Sequence, residues 1–164
     1  MTVLFWLTTM AMANPPSPAL QSRVSGVFVA SESPEEMEHR LGASIEAAVQ
    51  SLPWAFRFFA RTPLRRTATR CPEYHLHLDA EKYSVRCSNE EKTFVRRFDR
   101  EDQHTSDEGE VFDVTLVAQD PTVSLTFSGP RGGQANSWTV LQDGSMRLDC
   151  EVFSQHLPDP LRWY

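Results

Sequence analysis

The sequence predicts a mainly β protein: an antiparallel up-and-down β-barrel of eight to ten strands, with a helical hairpin lid inserted after the first strand. Three observations carry this expectation. From Glu73 onward apolar residues recur at every second position in short runs, the period of a half-buried strand. Turn residues punctuate those runs at Asp120-Pro121, Ser128-Gly129-Pro130, Gly132-Gly133 and Asp143-Gly144, the last being the strongest two-residue hairpin signal present. A helical period appears only between Ser33 and Arg61. Strands with one apolar face each must bring those faces together, and curling into a barrel does so while removing exposed edges.

At the N-terminus, Val3 to Ala13 are uncharged and mostly apolar, too few to cross a bilayer, and end in Ala11-Met12-Ala13 before Asn14. Residues 1–13 therefore read as a signal peptide, although no Lys or Arg follows Met1, and the expected location is secreted or periplasmic. Residues 14–22 read as a flexible leader, and 23–164 as one domain. With 164 residues, 40% of them hydrophobic, the chain suffices for one such core. A net charge of -6 argues against a nucleic-acid partner and reads as solubility.

Arg23 to Ala30 is the first expected strand. Ser33 as N-cap, Pro34 and Glu36 then open a helix whose apolar face includes Leu41 and Ile45. Pro53 breaks it and starts a second, with Trp54 and Phe58 on its apolar side, and Thr62-Pro63 ends that. The pair, about residues 34–61, is expected to cap a barrel mouth through Leu41, Ile45, Trp54 and Phe58. Between Arg57 and Arg70, five arginines fall in fourteen residues without an acid. Such a run is either a solvated loop or, through Arg57, Arg61, Arg65 and Arg66, a contact for an anionic membrane surface.

The expected strands follow as Tyr74, Leu76 and Leu78; Tyr83, Val85 and Cys87; and Phe94, Arg96 and Phe98. Residues 100–109 are either a loop or a short exposed strand with its turn. Phe112 to Ala118, Val123 to Phe127, Asn136 to Val140, Met146 to Val152 and a short final run at Leu161 to Tyr164 complete the set. Cys71 and Cys87 flank one hairpin and are candidates for a disulfide, which an exported chain can keep. Cys150 lies on an apolar face and suits a buried free thiol. His75 and His77 share a strand face without a visible third ligand, so no metal or other cofactor is expected. No catalytic signature occurs, and the chain is expected not to be an enzyme.

This order of elements, with Val24-Ser25-Gly26-Val27-Phe28 before the helices, Leu141-Gln142-Asp143-Gly144-Ser145-Met146 with Cys150 downstream, and a closing Arg162-Trp163-Tyr164, resembles the intracellular fatty-acid-binding proteins and their calycin, lipocalin-like relatives. The similarity spans residues 24–164. The resemblance implies a ligand cavity and a carboxylate held by Arg162 and Tyr164. The strand before the Asp143-Gly144 hairpin, where that family usually places a second cation, carries none.

The expected function is thus non-enzymatic binding of a small hydrophobic ligand, a fatty acid or similar lipid, by a monomer. Its tail would lie among Leu76, Leu78, Val85, Phe94, Leu116, Leu125, Phe127 and Met146, walled by Tyr74 and Trp138. Arg162 and Tyr164, with Arg96, would meet the polar head. Two orientations stay open by alternation alone: Arg162 or Trp163 inward, and Arg96 or Val95 inward. The competing reading is a protein-interaction module whose barrel is filled, binding a partner through loops or the basic helical patch.

Overall fold

The computed structural model describes residues 15–68, 70–98, 102–106 and 108–164. The expected signal peptide, residues 1–13, and Asn14 lie outside the described residues. Pro18–Val24 form a helix, α1, which corrects the expected leader. Ser17 caps it by accepting a hydrogen bond from the Leu20 N–H, and Pro18 suits the first turn. Leu20 and Val24, four residues apart, are both fully buried. The domain therefore begins before Arg23.

After β1 (Gly26–Val29) come α2 (Pro34–Gln50) and α3 (Trp54–Thr67). The start of α2 is a reciprocal capping box: Ser33 Oγ accepts from the Glu36 N–H and Glu36 accepts from the Ser33 N–H at 2.8 Å. The second helix runs past Pro63, where the sequence predicts its end. Packing explains the extension, because Leu64, within the added turn, and Ala68, just after it, are buried beside Leu41, Ile45 and Val49 of α2.

An antiparallel meander follows: β2 (Glu73–Leu78), β3 (Lys82–Cys87), β4 (Phe94–Arg97), β5 (Asp102–Thr105), β6 (Val111–Gln119), β7 (Thr122–Gly129), β8 (Gly132–Val140), β9 (Met146–Ser154) and β10 (Leu161–Trp163). The protein is mainly β, with ten strands among the described residues and the helical hairpin after the first. Residues 102–105 settle as a short strand, and β8 starts earlier than expected, at its glycines. Those glycines are required by close approach. A Cβ on Gly133 would lie 1.9 Å from the Phe127 carbonyl oxygen, and one on Gly132 would lie 2.3 Å from that of Phe153.

Every strand pairs with its neighbour in sequence, but the ladders form two sheets, β1-β2-β3-β4 and β10-β9-β8-β7-β6-β5. Among the described residues no ladder joins β4 to β5 or β1 to β10, so the strands of the expected barrel are hydrogen-bonded as two antiparallel sheets, with no closed ladder detected. Their inner faces share one core: Leu76, Leu78 and Tyr83 from the first sheet meet Val114, Leu116, Val123, Leu125, Trp138 and Val140 from the second. Helix α1 plugs one end of it with Leu20 and Val24. Arg23 ties the plug to Asp120 at 3.1 Å, and Ser25 Oγ accepts from the Leu78 N–H at 3.0 Å.

The first gap is closed by side chains. Arg96 on β4, 4% exposed, donates from Nη2 to the Val114 carbonyl at 3.0 Å. Its Nη1 lies 2.7 Å from a carboxylate oxygen of Asp102 on β5, although its alignment is not that of a hydrogen bond. Beside it, the rings of Phe94, His104 and Phe127 sit edge to face at centroid distances of 5.2 to 5.8 Å. The second gap is flanked by α2, which packs on β10.

Candidate ligand-binding site

Two cavities, each of about 550 Å³, lie within the fold. No residue of α1 lines either one. The first opens beside the turns that follow β3, β5 and β7. Val85, Phe94, Leu125 and Phe127 give it an apolar wall, and Gln134, Asn136 and Cys150 line it from β8 and β9. The second lies between the unpaired edges β1 and β10. Phe28, Met37, Leu41, Met146 and Leu148 line it, with Arg40, Arg70 and Arg147 at its borders. Tyr74, Trp138 and Trp163 line both cavities.

The sequence-predicted wall residues divide into two groups. Tyr74, Val85, Phe94, Leu125, Phe127, Trp138 and Met146 line one or both cavities. Leu76, Leu78 and Leu116 do not: they are packed solid in the core next to α1. A ligand tail among those three is therefore corrected. The filled interior of the competing reading describes this end of the molecule, not the other.

The predicted head-group residues are corrected more fully. Trp163 turns inward, and Arg162 turns out, where its Nε donates to Glu151 at 2.7 Å. Outward placement follows from the register, since Arg162 lies opposite Glu151 while buried Leu161 lies opposite buried Val152. Tyr164 is exposed, borders the second cavity and carries the Arg40 guanidinium 4.6 Å above its ring. Arg96 does face inward with Phe94 while Val95 faces out, yet Asp102 and Val114 occupy it and it lines neither cavity. Paired and desolvated, it is not available to a ligand carboxylate.

The lid is corrected as well. Leu41 borders the second cavity and Ile45 is fully buried between α2, α3 and β10, but Trp54 and Phe58 are 83% and 77% exposed. The stripe that α3 buries is Ala60 and Leu64, continued by Ala68 just beyond it, so its aromatics face solvent. No residue of α3 lines either cavity. The hairpin covers the flank beside β10 rather than the mouth, which shields an edge strand.

Polar groups missed from sequence lie on β8. Gln134, Asn136 and Trp138 alternate on its inner face, and Gln134 Nε2 donates to Asn136 Oδ1 at 2.9 Å. Their period-two spacing with a large aromatic was the available signal. The Trp138 indole N–H is buried without a protein partner. The Tyr74 hydroxyl also makes no hydrogen bond among the described residues. Burial first, then the nearby Cys150 and Glu90, raises the Tyr74 phenol above its ordinary range, so it stays protonated. Burial pushes the Cys150 thiol up to about 12.

Cys71 and Cys87 are bridged, with Cα atoms 5.6 Å apart. Tyr74 lies opposite Cys87 in the ladder, and Cys71 reaches it because the chain leaves the strand at Pro72, whose carbonyl accepts from the Ala30 N–H. His75 and His77 each face a neighbouring acid, Glu73 at 2.8 Å and Asp79 at 3.4 Å. Among the described residues no group of three or more His, Cys, Asp or Glu side chains could hold a metal ion. No helix there is long and apolar enough to cross a membrane.

No family model matches the sequence, and no curated protein matches it. Among solved structures, the chain is similar to the REP1-NXSQ fatty acid transporter, with a TM-score of 0.45 and 17% identity over 79% of this chain and 87% of that one. It is similar to a point mutant of the same transporter at a TM-score of 0.45 and 17% identity, over 84% of this chain and 93% of that one.

Proposed function

We propose that this protein is an exported, monomeric, non-enzymatic carrier that takes a small hydrophobic ligand between its two sheets. The observation that carries the reading is the pair of cavities of about 550 Å³ beside a core that is otherwise close-packed. Spaces of this size lined by aromatic and aliphatic side chains are where apolar ligands bind, at about 0.8 kcal/mol per methylene removed from water. Ala11-Met12-Ala13 and the bridged Cys71 and Cys87 support export.

Contact with an anionic membrane surface is part of the same reading, and α3 supports it. Trp54, Phe56, Phe58 and Phe59 are exposed beside Arg65 and Arg66, the combination that interfacial helices use. Arg57 and Arg61 contribute less, since Arg57 donates to Gln50 and Leu52 while Arg61 is held by Glu46 at 2.7 Å. The test of carriage is displacement of Nile red, a neutral fluorescent probe, by a panel of long-chain lipids. Saturable displacement at micromolar concentration is expected; a protein that takes up neither probe nor any lipid of the panel is not a carrier.

A further inference from the structure

We infer that the first cavity selects ligands whose polar group is uncharged, such as a long-chain alcohol, ester or ketone, over carboxylates. The inference rests on the carrier reading and sharpens it. Its basis is which polar groups reach that cavity and which do not.

The inner wall offers neutral groups with unused hydrogen-bonding capacity. Tyr74 lines the cavity, and its hydroxyl makes no hydrogen bond among the described residues. A hydroxyl left accessible inside a cavity is free to donate to a ligand oxygen. The Gln134 and Asn136 pair spends one N–H and one oxygen on each other, leaving an amide oxygen on Gln134 and an amide nitrogen on Asn136. A hydroxyl or carbonyl can use such a set, accepting from an N–H or O–H and, for an alcohol, donating to the amide oxygen.

Basic groups are scarce for a carboxylate: beside one guanidinium, the only basic side chain lining the cavity among the described residues is His104, whose ring packs edge to face on Phe94 and Phe127. Arg131 is the one guanidinium among the described residues lining this cavity, it lies at the exposed rim, and Glu110 already holds it. Glu90 borders the cavity too, so carboxylates outnumber guanidinium groups there. Arg96 and Arg162, the cations that a carboxylate would need, are committed to Asp102 and Glu151. The second cavity's Arg40, Arg70 and Arg147 each have an acid of their own in Glu32, Glu38 and Asp149. Transferring an anion from water into such a place is unfavourable, whereas a neutral polar group loses far less hydration.

The experiment compares 1-hexadecanol, methyl hexadecanoate and hexadecanoate as competitors of Nile red at pH 8, using the full chain and the variants Tyr74→Phe and Asn136→Leu. The alcohol and the ester are expected to bind at least tenfold more tightly than the acid. Tyr74→Phe and Asn136→Leu, each first shown by circular dichroism to keep the β signature, should narrow that preference several-fold by weakening the alcohol and the ester while leaving the acid unchanged. Equal or tighter binding of the acid overturns the inference and leaves the carrier reading standing, as do variants that shift all three ligands equally. If Nile red binds and none of the three displaces it, the inference fails alone; if neither the probe nor any of the lipids binds, the carrier reading fails and this inference goes with it.

Discussion

Arg96 shows how a single side chain can be read correctly for its direction and wrongly for its role. Alternation placed it on the face of Phe94, and it is there, but Asp102 reaches it from a strand whose pairing the sequence left undecided. The ion pair is asymmetric, with Arg96 buried and Asp102 half exposed. Breaking it from the two sides should therefore cost different amounts. Asp102→Ala strands a guanidinium out of reach of water and is expected to lower stability by about 3 kcal/mol. Arg96→Met leaves a carboxylate that water can solvate and keeps most of the buried stem, so a loss of about 1 kcal/mol is expected. Urea denaturation midpoints of the two variants decide the order; equal losses would mean that the pair does not carry the contact.

At the scale of the element, the two helices differ in how much their sequence disclosed. The start of α2 was fully legible, since Ser33, Pro34 and Glu36 specify a cap that depends on local geometry alone. The burial of α3 was not legible, because aromatic residues fall on nearly every side of it and nothing local says which stripe meets α2. Its buried stripe proves to be the small one, with Ala60 and Leu64, and the exposed one the large. This division supplies a clean test of membrane contact. The double change Phe58→Ser and Phe59→Ser should leave the stability measured by urea denaturation within about 0.5 kcal/mol, as surface changes do, while reducing flotation with phosphatidylglycerol vesicles several-fold. Leu64→Ala, by contrast, should cost about 2 to 4 kcal/mol through a cavity under the helix. Unchanged flotation of the double variant would remove α3 from any membrane role.

For the whole molecule, the strand order was readable and the closure was not. Period-two alternation with turn residues fixes which neighbours pair, so the meander from β2 to β10 followed from Tyr74, Val114 or Leu148 without knowledge of the ends. Whether the ends meet depends on strand length and on what lies beside the edges, and no residue pattern announces that. The same ignorance hid α1: Leu20 and Val24 are apolar at helical spacing, but only the open end of the core gives them a place to go. The cavity wall was half legible, because alternation finds an inner face but cannot tell a packed inner residue such as Leu116 from a cavity-lining one such as Leu125.

The split between sheets makes a prediction at this scale. Among the described residues β4 and β5 share no ladder, so there the outward N–H groups along that seam have no main-chain acceptor across it. Native-state hydrogen exchange should find the β4 and β5 amides exchanging orders of magnitude faster than those of β7 and β8, which are paired on both sides. Uniform protection across all four strands would contradict a divided sheet. Tyr74, Trp138 and Trp163 have a different bearing, because they are the side chains that both cavities share. Trimming one of these rings to enlarge either space would therefore reshape the other as well, so the two cannot be tuned independently.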